Sequence, residues 1–263
     1  MPWIGCFRLR ALHLLFLAVL GASLVGLWQL AVMLSVRLEE RTIEALSWLL
    51  TGKIIVVDPG HGGTDPGVVG PSGVPEKEIV LAVAKRLRDL LEQGGARVIM
   101  TREKDRGLDD SKRGDLAARV DLANKSGADI FVSIHANSFP EPDEDGAQTF
   151  SQPGCVESRK LAHAIQAEIV RLLRNTVRVP KEVDYFLNRQ TKMPSCIVEV
   201  GFVTCPREER LLLDPAYQSQ MAFAIYAGIV KYFAERATPT SNWIDDKIIE
   251  TFEKSAPPRL KAP

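Results

Sequence analysis

Residues 53–67 read KIIVVDPGHGGTDPG and begin with an apolar run that is rich in β-branched side chains. A short run of this kind predicts a buried strand. We expect the strand to end at residues 58–59, where a glycine-rich loop that carries His61 begins. Because ligand sites in open α/β sheets lie beyond the carboxyl ends of strands, His61 is a candidate for such a site.

Two further apolar stretches carry a polar side chain at the same end. Residues 129–137, DIFVSIHAN, predict a strand with His135 near its carboxyl end, and residues 195–201, SCIVEVG, carry Glu199. The carboxyl ends of parallel strands meet at one edge of a sheet. We therefore expect two histidines and a glutamate to lie at a common edge.

Strand and helix patterns alternate along the chain, which predicts an α/β fold. The expected form is a single, mainly parallel sheet of about six strands with helices on both faces. Besides the three stretches above, strands are expected over residues 96–101, 147–151 and 183–187. Helices are expected over residues 76–93, 109–126, 156–174, 206–213 and 216–235.

Residues 11–36 form a mostly apolar run near the N-terminus. As a helix, about 26 residues extend roughly 39 Å, more than the ~30 Å of a hydrocarbon core. Arg10 precedes the run and Glu39 follows it, so the positive-inside rule predicts a single-pass anchor with the remainder on the extracytoplasmic side. A cleaved signal peptide is the alternative, since residues 21–23 are small, but the run is longer than a typical signal sequence needs.

The expected organisation has four parts. A cytoplasmic stub and membrane anchor occupy residues 1–37, a helical spacer residues 38–51, the α/β domain residues 52–236, and a flexible tail residues 237–263. The tail contains several prolines and few apolar residues that could build a core, which is typical of disordered segments.

Charge and cysteine content narrow the functional classes. The formal net charge is 0, from 33 basic and 33 acidic residues, and no basic stripe with interleaved aromatics supports nucleic-acid binding. The glycine loop is not followed by Gly-Lys-Ser/Thr, so it is not a phosphate loop.

None of the four cysteines has C-x-x-C spacing. Cys196 is expected to be buried. The sequence does not decide whether Cys155 and Cys205 form a disulfide.

The four histidines limit the choice of metal ligands. His13 lies in the predicted anchor and His163 in a predicted helix between two alanines, whereas His61 and His135 both lie at strand ends. A hydrolytic zinc ion usually has three protein ligands, and two histidines with one carboxylate form a common set. Composition does not choose the carboxylate, and the candidates are Asp58, Asp65, Glu76, Glu78 and Glu199.

Glu199 interrupts an otherwise apolar strand. A buried carboxylate needs a partner, a metal ion or a raised pKa. Beside a metal-activated water, Glu199 could act as general base and then as general acid. The alternative is an ordinary buried ion pair with an arginine such as Arg102.

These stretches together resemble the zinc-dependent N-acetylmuramoyl-L-alanine amidases that have a long α/β catalytic domain. The resemblance covers residues 53–235 and keeps the family's order. Its motifs are VVDPGHGGTDPG (residues 56–67), Glu76-Lys77, Thr101-Arg102, Arg119, Ala123-Asn124, SIHAN (residues 133–137) and MPSCIVEVGF (residues 193–202).

The resemblance implies the chemistry of the site. It implies a Zn²⁺ ion held by His61, Glu76 and His135, with Glu199 as the catalytic carboxylate. The substrate would be peptidoglycan, cut at the amide between N-acetylmuramic acid and L-alanine. The architecture also resembles the germination-specific amidases that strip stem peptides from spore cortex before muramic-δ-lactam forms.

Three other functions remain open at this point. They are a housekeeping amidase for wall turnover or cell separation, a zinc peptidase that acts on stem peptides, and a non-catalytic wall-binding module. The helical insert that gates some family members is missing, because the segment at residues 139–146 is short. We therefore expect an open site or an activating protein partner.

Overall fold

The computed structural model describes residues 3–237, in two units whose boundary lies between Ala45 and Leu46. Helix α1 (Trp3–Leu46) makes up the first unit, and a 3-10 turn, Ser47–Leu50, follows it. The predicted spacer, residues 38–51, thus continues α1 and enters this turn. Within the part of the chain described here, no helix is long and apolar enough to span a bilayer, so the predicted anchor is not confirmed. The predicted tail lies outside the described residues beyond Ala237.

The second unit is built on one six-stranded sheet with helices on both sides, as predicted. Its order is β2-β1-β3-β6-β4-β5. Four neighbouring pairs are parallel, but β4 runs antiparallel to β6, so the sheet is mixed. The strands are β1 (Ile54–Pro59), β2 (Arg97–Met100), β3 (Ile130–Asn137), β4 (Gln148–Ser151), β5 (Lys181–Glu182) and β6 (Ser195–Phe202).

The helices bury apolar faces with helical spacing. In α2, for example, Ile79, Val83, Leu87 and Leu91 are all buried, and Gly94 follows the last residue of the helix. The other helices of this unit are α3 (Lys112–Lys125), α4 (Val156–Leu173), α5 (Phe186–Gln190), α6 (Pro206–Leu213) and α7 (Pro215–Ala237), and α2 itself is Glu76–Gln93.

Helices α4 and α7 approach each other closely. A Cβ added to Gly228 would lie 2.4 Å from the Cα of Ile165, which no real side chain tolerates. Glycine at this position therefore lets the two helix backbones pack together.

The predicted strand over residues 183–187 is wrong. Strand pairing with β4 stops early, since β5 is only Lys181–Glu182, and α5 begins at Phe186. Phe186 and Leu187 both pack on the apolar cluster around Val120. Adjacent residues of a strand would point to opposite faces, so a helical turn is needed to direct both side chains into one core.

The three cysteines of the second unit, Cys155, Cys196 and Cys205, are free thiols. The Cys155–Cys205 disulfide that the sequence left open is not formed, and Cys196 is a free buried thiol. Cys196 lies in β6 with no exposed surface, which confirms the prediction that it packs as a small apolar residue.

The three central strands place the predicted site residues at one edge. Strands β1, β3 and β6 are consecutive neighbours, and all three run parallel. The register aligns Asp58 with Ser133 and His135 with Glu199. The ends of these strands therefore lie together, as the sequence predicted.

Two buried arginines hold the loop that follows β1. Arg102 donates to the carbonyls of Pro59 (3.0 Å) and Gly60 (2.7 Å). Arg119 donates to the carbonyls of Pro59 (2.8 Å) and His61 (2.6 Å). Each arginine is only 1% exposed. The backbone that carries His61 is thus held by two guanidinium groups through every carbonyl from residue 59 to residue 61.

Asp58 supplies the countercharge for this arrangement. Its buried carboxylate accepts from Arg119 (2.7 Å), Thr101 (2.5 Å) and Ser133 (2.7 Å). Burial alone would raise the pKa of Asp58, but the charge of Arg119 and these hydrogen bonds outweigh burial, so the pKa lies below its ordinary value. The carboxylate is therefore ionised at neutral pH and stabilises the buried guanidinium.

We expect Asp58→Asn to lower the free energy of unfolding by about 3 kcal/mol, because Arg119 then keeps only Asp115 as a close countercharge. Urea denaturation at pH 7 measures this change. The matched control is Asp121→Asn, which removes an exposed ion pair with Lys125 on the same helix and should cost less than about 0.5 kcal/mol. Equal effects of the two variants would contradict this account.

The difference between wild type and Asp58→Asn should also depend on pH. The pKa of Asp58 is lower in the folded protein than its ordinary value of about 3.9 in an unfolded chain. Its stabilising contribution is therefore complete above that ordinary value and is lost as the pH falls through the folded-state pKa. Denaturation series that extend into acid should show the two proteins converging.

Candidate metal centre

Three predicted ligands meet at the edge of the sheet. The candidate donor atoms of His61, Glu76 and His135 all lie within 4.8 Å of one another. Glu76 Oε1 lies 3.1 Å from Nε2 of His61 and 3.2 Å from Nδ1 of His135. The imidazole rings meet edge to face, with centroids 5.0 Å apart. The carboxylate oxygen thus lies between two nitrogens supplied by different loops and strands.

The position of Glu76 follows from its place at the start of α2. Its backbone N–H donates to the carbonyl of Val68 (2.8 Å), and Val68 N–H donates back to Oε2 (3.0 Å). Ala136 N–H donates to Oε1 (2.9 Å). Burial alone would raise the pKa of Glu76, but the two histidines outweigh it and hold the pKa well below its usual range. The side chain is therefore a fixed, ionised carboxylate, the form that binds a metal ion.

His61 occupies a strained backbone position. Its φ is 59°, in the left-handed region that residues other than glycine rarely adopt. The carboxylate of Asp65 lies 2.9 Å from Nδ1, which leaves Nε2 to face Glu76. Such strain persists only where the surroundings hold it, and it often marks a functional site.

Glu199 lies next to this group but outside it. It is opposite His135 in the β3–β6 register. Its Oε2 is buried and accepts no hydrogen bond from any residue that the structure describes. Burial, reinforced by the charge of Glu76 and opposed by the two histidines, raises the pKa of Glu199 to about 7. An acid with such a pKa can both take and release a proton near neutral pH.

The alternative role for Glu199, an ion pair with Arg102, is wrong. Arg102 donates instead to backbone carbonyls, including that of Lys77 (2.9 Å). Among the described residues, Glu199 thus has no arginine partner, and a buried oxygen without a hydrogen bond often marks a binding or catalytic site.

The other candidate metal ligands lie outside this group of three or make different contacts. Asp58 belongs to the Arg119 network, Asp65 contacts the outer nitrogen of His61, and Glu78 is exposed on α2. His163 is half-buried on α4 and does not belong to the cluster. Among the described residues, only one group of three or more His, Cys, Asp or Glu side chains could hold a metal ion.

A cavity of about 220 Å³ opens beside the two histidines. Lys112 and Leu116 of α3 and Leu187 of α5 line it together with His61 and His135. The sequence did not reveal this space, because Leu187 was expected in a strand and not in a helix beside the site. The cavity gives a substrate room to lie against the candidate ligands.

The donor set fits zinc. Two imidazole nitrogens and one carboxylate oxygen are a known ligand set of hydrolytic zinc, which keeps a further position open. The ionised Glu76 and the orphaned Glu199 oxygen beside it meet the two further needs of such a site: a countercharge and a proton acceptor.

Comparison with known sequences points to a single enzyme family. The sequence profile of N-acetylmuramoyl-L-alanine amidases matches residues 55–231. A germination-specific N-acetylmuramoyl-L-alanine amidase from Bacillus subtilis (strain 168) is 44% identical over an alignment of 200 residues, and the match covers 72% of this chain and 84% of the relative. The N-acetylmuramoyl-L-alanine amidase AmiA of Escherichia coli (strain K12) is 29% identical over an alignment of 240 residues, and the match covers 74% of this chain and 78% of that protein.

Two solved amidase structures resemble this chain in both sequence and fold. The CwlD amidase from Clostridioides difficile, solved in complex with the GerS lipoprotein, is 37% identical with a TM-score of 0.67. The match covers 70% of this chain and 100% of that one. The N-acetylmuramoyl-L-alanine amidase AmiC2 of Nostoc punctiforme is 34% identical with a TM-score of 0.64, over 70% of this chain and 99% of its own.

We expect Gly60→Ala to weaken metal binding at this centre without unfolding the domain. The added Cβ would lie 2.2 Å from Cε1 of His135, so the imidazole must leave its place. Zinc affinity, measured by competition with a chromophoric chelator, should fall at least about tenfold. The control is Gly127→Asn, where nothing lies within 4 Å of an added Cβ and asparagine tolerates the φ of 68°. Unchanged zinc affinity in Gly60→Ala would contradict the assignment of His135.

Proposed function

The chain belongs to the N-acetylmuramoyl-L-alanine amidase family and cleaves the amide between N-acetylmuramic acid and L-alanine in peptidoglycan, and we propose that it does so with zinc. We assign His61, Glu76 and His135 as the zinc ligands and Glu199 as the catalytic carboxylate. The assignment rests on the convergence of the three ligand side chains within 4.8 Å, beside a half-buried glutamate whose buried Oε2 has no hydrogen-bond partner among the described residues.

Each part of the site has a separate role in this proposal. Bound zinc supplies Lewis acidity toward the scissile carbonyl and toward water. Glu76 supplies the negative charge of the ligand set, held by the backbone N–H groups of Val68 and Ala136. The cavity beside Leu116 and Leu187 receives the substrate next to the histidines.

Glu199 moves the proton. Its Oε2 has no hydrogen-bond donor among the described residues and therefore keeps a lone pair available to take a proton from the attacking water. Once protonated, the same carboxyl can give that proton to the leaving amine of L-alanine. Its pKa of about 7 suits both steps near neutral pH.

We propose further that the enzyme acts in spore germination by stripping stem peptides from cortex peptidoglycan. One comparison supports this role over wall turnover: the germination-specific relative from Bacillus subtilis, at 44% identity. A housekeeping role in turnover or cell separation is the alternative.

A protein partner is part of the proposal. The chain between Asn137 and Gln148 contains no helix, so it lacks a gating insert that could cover the site. The CwlD relative was solved with the GerS lipoprotein. We propose that a partner of comparable kind holds this enzyme or its substrate in place.

Product analysis tests the catalytic roles. The purified chain is incubated with vegetative and with cortex peptidoglycan, and mass spectrometry follows free stem peptides that begin with L-alanine. We expect Glu199→Gln to lower the rate by about 10²–10⁴-fold while zinc affinity is retained, because the proton carrier is lost. A chelator should remove activity, and added zinc should restore it. Glu78→Gln, an exposed change on α2, is the control and should leave the rate unchanged.

The outcomes separate the proposals. Full activity of Glu199→Gln would overturn its catalytic role, and activity that survives chelation would overturn the zinc assignment. A rate on cortex that does not exceed the rate on vegetative wall would favour the housekeeping role. A zinc-loaded protein that releases product only after a partner is added would support the need for that partner.

We propose, from the sequence alone, that residues 11–36 anchor the enzyme in the cell membrane with the catalytic unit on the extracytoplasmic side. The support is the long apolar run and the charge asymmetry around it. In membrane fractionation, the chain should resist extraction by carbonate, and added protease should degrade it in cells stripped of wall. A version that begins at residue 38 is the control, and its release into the soluble fraction is the expected result. Full-length chain in the carbonate wash would contradict the anchor.

A further inference from the structure

We infer that Asp65 is a positioning residue for His61: its carboxylate holds the imidazole in the tautomer whose Nε2 is free to bind a cation. The inference rests on the proposed zinc site, because it gives this tautomer a purpose. Asp65 was one of five candidate ligands by sequence, and its contacts show why it serves the site from outside.

The carboxylate of Asp65 is fixed at both oxygens. Oδ2 lies 2.9 Å from Nδ1 of His61, and Oδ1 accepts the backbone N–H of Gly67 at 3.0 Å. The backbones of Gly62 and Asp65 also exchange two hydrogen bonds, of 2.9 Å and 3.2 Å. The acid therefore cannot turn away from the imidazole without opening the loop.

This contact decides where the imidazole proton lies. An ionised carboxylate only accepts hydrogen bonds, so Nδ1 of His61 must carry the proton that it donates to Asp65. Nε2 of the neutral ring then carries a lone pair and faces Glu76 Oε1 across 3.1 Å. A metal ion takes lone pairs from both of these atoms, so a proton held on Nδ1 by Asp65 leaves Nε2 free to bind it.

His135 differs from His61 in this respect. It presents Nδ1 rather than Nε2 to Glu76, at 3.2 Å. Among the residues that the structure describes, no carboxylate holds its outer nitrogen as Asp65 holds that of His61. The two ligands are thus fixed by different means, and Asp65 acts on one of them alone.

Asparagine at residue 65 separates tautomer control from loop support. An asparagine whose oxygen keeps the bond from Gly67 turns its NH₂ group toward His61, where it donates to Nδ1. That contact favours the opposite tautomer, with the proton on Nε2, and blocks cation binding there. A role in loop support alone would be rescued by asparagine, whereas a role in tautomer control would not.

Asp105 offers a matched control in the same loop region. Its carboxylate accepts from Gly63 N–H (2.8 Å) and from Lys77 Nζ (2.7 Å), and neither oxygen contacts a histidine. Asp105→Ala therefore loosens the glycine loop without touching the imidazole of His61.

The experiment compares wild type, Asp65→Ala, Asp65→Asn and Asp105→Ala as full-length proteins. Zinc affinity is measured by chelator competition, and the His61 tautomer in the zinc-free protein by two-bond ¹H–¹⁵N correlation NMR. We expect Asp65→Ala to weaken zinc binding about 10–100-fold, Asp65→Asn to do no better, and Asp105→Ala to bind as wild type does. The spectrum should show Nδ1–H in wild type and the Nε2–H form rising in both Asp65 variants.

Three results would overturn the inference. They are wild-type affinity in Asp65→Asn, equal losses in Asp65→Ala and Asp105→Ala, or a His61 tautomer that is the same in all four proteins. A wild-type protein that binds no zinc would instead overturn the proposed zinc site, and the spectra of the zinc-free proteins would still decide whether Asp65 controls the tautomer.

Discussion

The site depends on one constraint. The buried guanidinium groups of Arg102 and Arg119 donate hydrogen bonds to the backbone of the loop after β1. Unpaired buried carbonyls are costly, and the planar guanidinium, with its five donors, can satisfy several of them at once where lysine cannot. Arg102 does this without a carboxylate contact, and burial, together with the charge of Arg119, lowers its pKa to about 10. It remains charged at neutral pH, so Asp58 and the surrounding acids must balance two cations in the core.

From this constraint the geometry of the metal centre follows. The held loop presents His61 with a left-handed backbone, and the β1-β3-β6 order brings His135 and Glu199 to the same edge. Glu76 lies in the first turn of α2, a helix whose apolar face is buried. Each functional side chain is therefore carried by a rigid element or by a loop that buried groups hold, which is what a preorganised site needs.

Most elements and the common edge of the central strands were predictable from the sequence, whereas short segments and side-chain partners were not. The strand ends were predictable because apolar runs stop at glycine or polar residues, and the bounds of α2 and α6 because Gly94 and Pro206 mark them. Helix α5 was missed because a five-residue segment has no period to read. The third ligand stayed open because the partners of five candidate acids depend on long-range contacts. The resemblance named Glu76, and the contacts explain why the other candidates serve elsewhere.

The buried acids of the fold show why the unpaired Oε2 of Glu199 is exceptional. Glu208 is 3% exposed, and one of its oxygens accepts backbone N–H bonds from Phe202 and Gly146. Glu209 is equally buried and accepts from the backbone and hydroxyl of Ser72. Among the described residues, Glu199 holds the only buried carboxylate oxygen without a hydrogen-bond partner. A fold that pairs its buried acids, but leaves this oxygen unpaired beside three candidate metal ligands, gives up stability there, as functional sites commonly do.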